Sequence, residues 1–234
     1  MKPTNTEKQW TVLPDASTVA LEACELIKKV ANNAIETKGL FRIVLAGGTT
    51  PGQIYQMLAK EAYDWSQWEF YLGDERCLPI ESTERNSQMA MTTWLDNINV
   101  PDTNIYFIPS ELGAETAAKE YASTIKDKVP FDIVLLGMGE DGHTASLFPG
   151  HEHNESELTH AVHNAPKPPS DRVSLSVSAL SNAYHVLMIV TGAGKKDSVD
   201  SWQKGEPLPI AQISAIDNLT VMLDEAACPI IKHS

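Results

Sequence analysis

Hydrophobic positions along this chain change period repeatedly, from helical spacing to short apolar or alternating runs. In the first helical stretch apolar residues recur from Val19 to Ala34, with Asp15 or Ser17 placed to cap its start and Gly39 to end it. Several short runs then predict strands, and they read FRIVLA, WEFYL, FDIVLL, RVSLSV, HVLMIVTG and LTVMLD. Because strand-like and helix-like segments alternate, the pattern predicts an α/β fold with a parallel sheet.

Further helices are predicted between these strands. They run from about Pro51 to Lys60, through Met89, Met91, Trp94 and Leu95, from about Ala114 to Ile125, and from the segment GKKDSVDSW onward. After Gly150 the chain becomes polar and rich in proline, around a short strand near Thr159 to His163. Since no repeat or linker divides the sequence, we expect one α/β domain over residues 1–234.

Charge and cysteine content narrow the function classes. The formal net charge of −13 argues against nucleic acid or an anionic membrane surface as the main partner, because both require a basic face. Three widely spaced cysteines indicate neither a disulfide framework nor a zinc cluster. No segment resembles a signal peptide or is long enough to span a bilayer. We therefore expect a cytoplasmic protein. As partners we expect only a small-molecule substrate and, at most, further copies of the chain in a small homo-oligomer.

The segment GMGEDGHTASLFPG, Gly137 to Gly150, directly follows the predicted strand FDIVLL. It should place His143 near the carboxyl edge of the sheet, where ligands bind in open α/β folds. The unperturbed pKa of histidine lies closest to neutrality among the side chains, which suits a general base. A histidine that only fixes a turn is the alternative, but the neighbours Asp141 and Thr144 on a glycine-rich strand end favour a functional role.

The loop AGGTTPG joins another predicted strand to a helix. Backbone N–H groups around Gly47 and Gly48, with the hydroxyls of Thr49 and Thr50, can surround an anion at the helix start, and phosphate is the natural candidate. A tight turn with a threonine cap is the alternative. The loop lacks the Gly-Lys-Ser/Thr end of a Walker loop and does not fit Gly-x-Gly-x-x-Gly.

Charged residues follow the other predicted strands. In GDERCLP, Asp74 and Glu75 could position water or sugar hydroxyls and Arg76 could hold an anion, although charged triplets in loops are usually only solvated. Arg85 and Asn86 start the next helix and could face the same site. The segments KPPSDR, which ends at Arg172, and GAGKK, in which Lys195 is the preferred cation, supply further positive charge.

Two other motifs give weaker signals. GAGKK looks like a truncated P-loop, but no first glycine precedes it and no Ser or Thr follows the lysine, so a nucleotide triphosphatase is not indicated. The remaining clustered histidines are interpreted as exposed loop residues without the spacing of metal ligands, and they are His151, His153, His160 and His163.

Taken together and in this order, AGGTTP, GDERCLP, GMGEDGHTASLFPG, KPPSDRVSLS and VTGAGKK closely resemble the 6-phosphogluconolactonases. The resemblance implies a fold of the glucosamine-6-phosphate deaminase and ribose-5-phosphate isomerase type, with a Rossmann-like parallel sheet flanked by helices. It also implies hydrolysis of 6-phospho-D-glucono-1,5-lactone in the oxidative pentose phosphate pathway. Glucosamine-6-phosphate deaminases are the close alternative, but their motifs read Asp-Glu-Tyr and Phe-Asn-Glu-Pro where this chain has DER and SLFP.

The resemblance further implies roles for particular residues. His143 would be the base, and Asp141 or Asp74 would set its tautomer. No metal and no organic cofactor would be needed. The residues implied in binding the sugar phosphate are Gly47, Gly48, Thr49, Thr50, Arg76, Arg85, Arg172 and Lys195. A sugar-phosphate-binding protein without catalysis would need the cations but not His143, so the complete histidine motif favours an enzyme.

Overall fold

A computed structural model describes residues 7–151 and 156–229 of the chain, and the strands in those ranges form two sheets. The strands are β1 (Lys8–Leu13), β2 (Phe41–Leu45), β3 (Trp68–Leu72), β4 (Asp74–Arg76), β5 (Ile105–Tyr106), β6 (Phe131–Gly137), β7 (Thr159–Val162), β8 (Arg172–Leu175), β9 (Ala183–Val190) and β10 (Asn218–Asp224). The helices are α1 (Ala16–Lys38), α2 (Thr49–Leu58), α3 (Asn86–Thr93), α4 (Ala114–Ile125), α5 (Val177–Ser181) and α6 (Lys196–Gln203).

The larger sheet has the order β1-β10-β9-β6-β2-β3-β5, and all of its pairs are parallel. The central strands are buried on both faces, which explains why β6 reads as a continuous apolar run rather than an alternating one. From β2 the chain continues outward to β3 and β5, whereas from β6 it continues in the opposite direction to β9 and β10. The switch point therefore lies between the neighbouring strands β2 and β6. Such a switch point leaves a crevice outside the carboxyl ends of the strands, where ligands bind in open α/β sheets.

The first helix has the ends that the sequence predicts. Asp15 caps it, because its side chain accepts a hydrogen bond from the Thr18 N–H at 2.7 Å. Gly39 ends it with a φ of +75°, a left-handed conformation that costs glycine little. The apolar stripe of α1 is buried in the core, so this long helix is held by tertiary packing as well as by its caps.

Two buried tyrosines complete the hydrogen bonding of strands at the carboxyl edge. The Tyr55 hydroxyl accepts from the N–H of Ala46 at 2.9 Å and donates to its carbonyl at 2.8 Å. The Tyr121 hydroxyl makes the same pair of bonds with Leu72, at 2.9 and 3.0 Å. Burial raises the pKa of both hydroxyls, so both stay neutral donors. The strand ends that carry the glycine loops are therefore held rigidly.

The second sheet corrects one expectation. GDERCLP was expected to be a loop, but Asp74–Arg76 forms the short strand β4, which pairs antiparallel with β8, and β8 pairs antiparallel with β7. Gly73 joins the two sheets, because it donates to the Leu45 carbonyl at 3.0 Å and accepts from the Leu175 N–H at 2.8 Å. The charged triplet is therefore fixed by strand pairing rather than solvated.

Other differences are smaller. The half-exposed edge strand β1, the two-residue strand β5 and the short helix α5 were not predicted from the sequence. His160 was expected in an exposed loop, but it is buried in β7, and burial lowers its pKa although Glu157 opposes the shift. His153 lies outside the described residues. No helix within the described ranges is both long and apolar enough to cross a membrane.

His185 makes the stability of the fold sensitive to pH. It is buried in β9, and its Nε2 lies 3.0 Å from the Thr220 hydroxyl on β10. Burial, together with the positive charge of Lys29, lowers the pKa of His185 to about 4 despite the opposing charge of Asp217. The unfolded chain binds a proton here near pH 6.5 while the folded chain does not, so folding stability is lost as pH falls from above 6.5 towards 4.

We therefore predict that His185→Gln reduces this acid sensitivity. Between pH 7 and pH 5, the wild-type free energy of unfolding should fall by about 2 kcal/mol more than that of the variant. Denaturant titrations at the two pH values measure this difference. His163→Gln is the matched control, because ion pairing with Asp171 and Glu115 raises the pKa of this exposed residue and its small effect should have the opposite sign. An unchanged pH dependence in His185→Gln would contradict the prediction.

Candidate active site

A cavity of about 350 Å³ opens at the carboxyl edge of the larger sheet, at the switch point between β2 and β6. The chain after β2 forms one wall with Ala46 to Gly48, and the chain after β6 forms the opposite wall with Met138, Gly139 and His143. Loops after β3 and β9 also reach it. Because the strands are parallel, their ends converge here, as the sequence pattern predicts.

His143 lies in this cavity with about a fifth of its side chain exposed. Its Nδ1 is 2.5 Å from Asp141 Oδ1, and the same carboxylate oxygen accepts from the His143 backbone N–H at 3.2 Å. The loop is closed by a hydrogen bond from the Gly139 N–H to the His143 carbonyl at 2.8 Å. With Nδ1 held by a carboxylate, Nε2 is the ring nitrogen left to meet a water or substrate atom.

Asp141 is tuned to stay ionised beside this ring. Partial burial raises the pKa of its carboxyl group, but hydrogen bonds and charge interaction with His143 outweigh burial, so the net pKa is lowered. An ionised Asp141 accepts a hydrogen bond from the Nδ1–H and stabilises the charge that the ring gains when Nε2 takes up a proton. This is the arrangement by which a carboxylate orients a catalytic histidine.

Gly139 is required by the packing of this pair. A Cβ atom at this position would lie 2.0 Å from His143 Nδ1 and 2.6 Å from Asp141 Oδ1, well inside van der Waals contact. The backbone of Gly139 is not in the left-handed region, so the conflict concerns only the two side chains.

We therefore predict that Gly139→Ala displaces the histidine and lowers turnover by at least about tenfold, because displacements near 1 Å cost that much or more in positioned catalysis. Melting temperature and turnover should be measured together. Gly52→Ala, in α2, is the matched control. Its Cβ would make an ordinary contact of 3.7 Å with Met89 Sδ of α3. Full activity in a folded Gly139→Ala protein would show that the observed His143 position is not needed.

Asp74 lines the same cavity but bonds to other partners than His143. Its Oδ2 accepts from the Ser146 hydroxyl at 2.6 Å, and its Oδ1 accepts from the Asn86 side chain at 3.0 Å. Ser146 is fully buried, so this carboxylate is held firmly at the cavity wall. Asn86 also lines the cavity and approaches the glycine loop so closely that a Cβ at Gly47 would lie 2.2 Å from its Oδ1.

Four cations line the cavity within the described part of an otherwise acidic chain. Arg76 donates to the Glu84 carbonyl, and its buried Nε has no hydrogen-bond partner. Lys195 is half-buried, and burial lowers its pKa while Glu140 opposes the shift and Lys167 reinforces it. Arg172 and Lys167 complete the set. A cluster of this kind suits a multiply charged anion such as phosphate.

Arg85 was expected to face the substrate, but the structure buries it away from the cavity. Its Nη1 donates to Glu111 at 2.9 Å, its Nη2 donates to the Ile108 carbonyl at 3.1 Å, and its Nε lies 3.5 Å from Glu75. Glu75 is fully buried, and it accepts from the N–H groups of Asn86 and Ser87 at 2.7 and 2.8 Å. This pair therefore supports the start of α3.

The threonines of the glycine loop are also placed differently from their expected role. Gly47 and Gly48 line the cavity, whereas the side chains of Thr49 and Thr50 do not. Thr50 instead lies 2.8 Å from the hydroxyl of Thr191, which joins the loop after β2 to the loop after β9. Thr49 is exposed at the first position of α2. It therefore belongs to the start of that helix, and its side chain is not part of the cavity lining.

Comparison with known proteins gives a consistent result. A family described as glucosamine-6-phosphate isomerases/6-phosphogluconolactonase matches residues 14–222. The chain belongs to this family. Among curated relatives, 6-phosphogluconolactonase 3 (chloroplastic) of Arabidopsis thaliana is 31% identical over 89% of this chain and 71% of its own length. The 6-phosphogluconolactonase of Thermotoga maritima is 31% identical over 79% of this chain and 84% of its own length.

Solved structures of family members superpose on most of this chain. The crystal structure of the 6-phosphogluconolactonase from Thermotoga maritima has a TM-score of 0.88 and 27% identity, and it covers 94% of this chain and 100% of its own. That of Trypanosoma brucei has a TM-score of 0.85 and 26% identity, with coverage of 95% and 98%. A monomeric glucosamine-6-phosphate deaminase shares the fold at a TM-score of 0.80 and 19% identity, with coverage of 94% and 98%. The expected Rossmann-like α/β fold is thus confirmed.

Sequence reasoning missed two residues of the candidate site. Lys167 lines the cavity from the loop before β8, and the only signal was the positive charge of its segment. Phe148 lines the cavity beside His143, although in sequence it reads as an ordinary apolar residue.

A larger cavity, of about 560 Å³, lies at the opposite edge of the sheet, where residues such as Asp132, His185 and Thr220 start their strands. Its lining pairs Lys29 and Lys38 with Asp132 and Asp217 and, among the described residues, includes no glycine loop. The smaller cavity gathers the glycine loops, His143 and four cations, so it is the candidate active site. No group of three or more histidine, cysteine, aspartate or glutamate side chains that could hold a metal ion occurs in residues 7–151 or 156–229.

Proposed function

We propose that this chain hydrolyses 6-phospho-D-glucono-1,5-lactone to 6-phospho-D-gluconate, a step of the oxidative pentose phosphate pathway. The observation that carries the proposal is one cavity that holds both a carboxylate-oriented histidine and a cluster of cations. The histidine supplies a base for attack on a carbonyl, and the cations supply a place for a phosphate. The family relatives that bear the lactonase name support the same substrate.

In the proposed first step, water attacks the lactone carbonyl carbon. His143 Nε2 takes one proton from that water as the new C–O bond forms, and the carbonyl oxygen becomes an oxyanion. Asp141 holds the Nδ1–H and stabilises the imidazolium. The charge on the oxyanion develops in a cavity lined by cations, and fixed positive groups favour such a transition state.

In the proposed second step, the tetrahedral intermediate collapses. The bond from the carbonyl carbon to the ring oxygen breaks, and the ring oxygen receives the proton held by His143. The product is an open-chain acid with a free hydroxyl, and the acid ionises in water. The histidine ends in its starting state, so the cycle needs no other reactant than water.

The 6-phosphate is proposed to bind the cations that line the same cavity as the base. Lys195 has no hydrogen-bond or ion-pair partner for its ammonium group among the described residues, so it is available to a ligand. Arg76 also lines this cavity, with its guanidinium anchored through Nη1 to the Glu84 carbonyl. Binding energy from the remote phosphate can then hold the carbonyl against His143. Arg85 has no place in this proposal.

The test is purified protein on freshly generated lactone, with spontaneous hydrolysis subtracted and glucosamine 6-phosphate run alongside. We expect enzyme-dependent release of 6-phosphogluconate and no ammonia from the amino sugar. Ammonia release without lactone hydrolysis would assign the chain to deaminase chemistry. Tight binding of 6-phosphogluconate without turnover of either compound would indicate a sugar-phosphate-binding protein.

We further predict that a chelator leaves lactone hydrolysis unchanged, because the proposed steps use a histidine base and fixed cations rather than a metal-bound water. The measurement is turnover before and after dialysis against EDTA. Activity that disappears with chelator and returns with one added metal would contradict this.

The cysteines Cys24, Cys77 and Cys228 are free, and this supports our proposal that the enzyme works in a reducing compartment such as the cytoplasm.

A further inference from the structure

Phe148 lies between the two functional parts of the cavity. Only 2% of the residue is exposed, yet it lines the cavity wall. Its ring centroid is 4.7 Å from that of His143, with the planes tilted by 45°, and on another side the Arg172 guanidinium carbon lies 5.6 Å from the ring centroid. One apolar ring therefore contacts both the proposed base and one of the proposed phosphate-binding cations.

The backbone that carries Phe148 is anchored to the second sheet. Two residues earlier, Ser146 donates two hydrogen bonds. Its N–H donates to the Ser174 hydroxyl at 3.2 Å, and its hydroxyl donates to Asp74 at 2.6 Å. Leu147 donates to the Thr144 carbonyl at 2.9 Å. Ser174 belongs to β8, the strand that starts at Arg172, so the ring and the guanidinium are positioned by the same element.

Arg172 is oriented by its hydrogen bonds as well as by the ring. Its Nε donates to the Pro169 carbonyl at 3.2 Å, and its Nη2 donates to the carbonyls of Lys167 and Pro168 at 3.1 and 3.2 Å. These bonds tie the guanidinium to three loop carbonyls, while its central carbon lies over the Phe148 ring. The same group therefore holds the loop that brings Lys167 to the cavity and contacts the aromatic ring at the same time.

We propose that Phe148 is a positioning residue that sets the spacing between the His143 base and the cations on the Arg172 side of the cavity. This inference rests on the proposed lactone hydrolysis. A fixed spacing is needed because the phosphate and the carbonyl belong to one substrate, so anchoring the first places the second against the base. Without the aromatic ring, both the imidazole and the guanidinium lose a contact surface and the spacing is no longer defined.

The test compares Phe148→Leu, which removes the ring, with Phe148→Tyr, which keeps it. For Phe148→Leu we expect kcat to fall by about tenfold or more on phosphorylated and unphosphorylated lactone alike, because the base is loosened. We also expect KM for the phosphorylated lactone alone to rise by about three- to tenfold, because Arg172 loses its ring. Phe148→Tyr, which keeps the ring, should leave kcat and KM close to the wild-type values. Leu147→Val is the matched control for a disturbed core, and it should change the melting temperature but not kcat.

Two measurements do not depend on activity. The ring current of Phe148 should shift the His143 ring proton in the NMR spectrum, and Phe148→Leu should abolish that shift while the surface residue His163 keeps its own. Titration with inorganic phosphate should give a weaker Kd in Phe148→Leu by about three- to tenfold.

The outcomes separate this inference from the proposed function. A folded Phe148→Leu protein with wild-type kcat, KM and phosphate affinity would overturn the positioning role. An equal loss of kcat in Leu147→Val would also overturn it, because core packing alone would then explain the effect. If the wild type hydrolyses no lactone, the proposed function fails, and the His143 shift and phosphate titration still decide whether Phe148 holds the two groups.

Discussion

His143→Asn is expected to lower kcat on 6-phosphogluconolactone by about a hundredfold or more, which is typical of the loss of a general base. Asparagine can keep a hydrogen bond to Asp141 but has no nitrogen that accepts a proton at neutral pH. The fold should stay intact, because His143 is partly exposed at the cavity rather than in the core. Stopped or coupled assays of kcat, with the spontaneous rate subtracted, measure the effect.

Two further variants test whether the loss comes from the His143 base itself. Asp141→Asn keeps the base but removes the carboxylate on Nδ1, so its loss should be smaller than that of His143→Asn and should not add to it in the double variant. His163→Gln is the control for removing a histidine, because its ring is half-exposed and pairs with Asp171 and Glu115 outside the cavity. Near-normal turnover by folded His143→Asn would remove this residue from the mechanism.

Local patterns predicted the larger sheet and its functional edge well. Each apolar run that ends in glycine, such as Phe131 to Leu136, became a buried strand whose tip faces the cavity. This follows because the carboxyl ends of parallel strands share an edge, so loops distant in sequence converge. His143, Arg76 and Lys195 could be placed together for that reason, without any knowledge of the intervening helices.

Pairing between distant segments could not be read from the sequence. The triplet Asp74–Arg76 is polar and follows a glycine, so it has the local signature of a turn, and it becomes a strand only by pairing with β8 almost a hundred residues later. The edge strand β1 is half-exposed and lacks an apolar run, so its pairing with β10 is equally hidden. Strand formation in such segments depends on the partner rather than on propensity.

Charge alone also could not separate binding residues from structural ones. Arg85 and Arg76 lie nine positions apart in the sequence and look equally suited to hold an anion. Arg85 can be buried because Glu75 and Glu111 form ion pairs with its guanidinium. Arg76 has no such carboxylate partner among the described residues, and it lines the cavity. The difference arises from the acceptors that folding brings to each residue, and a buried arginine requires such partners.

Arg76→Ala and Lys195→Ala are each expected to lower kcat/KM for the phosphorylated lactone by up to about a hundredfold, because a phosphate dianion loses a charge-assisted partner. Unphosphorylated gluconolactone should be affected much less. The discrimination between the two lactones should therefore narrow in both variants. The measurement is kcat/KM for both lactones in the wild type and each variant, after subtraction of spontaneous hydrolysis.

The placement of the two cations also makes this a test of whether separate strand ends converge at the carboxyl edge of the larger sheet. Arg76 follows β3 and Lys195 follows β9, two strands that are not neighbours in the sheet, yet both residues line one cavity. Lys196→Ala is the matched control, because this adjacent lysine starts α6 and does not line the cavity. Equal fractional losses on both lactones would mean that Arg76 and Lys195 serve the carbonyl chemistry or the fold, and the phosphate would then have to bind Arg172 and Lys167.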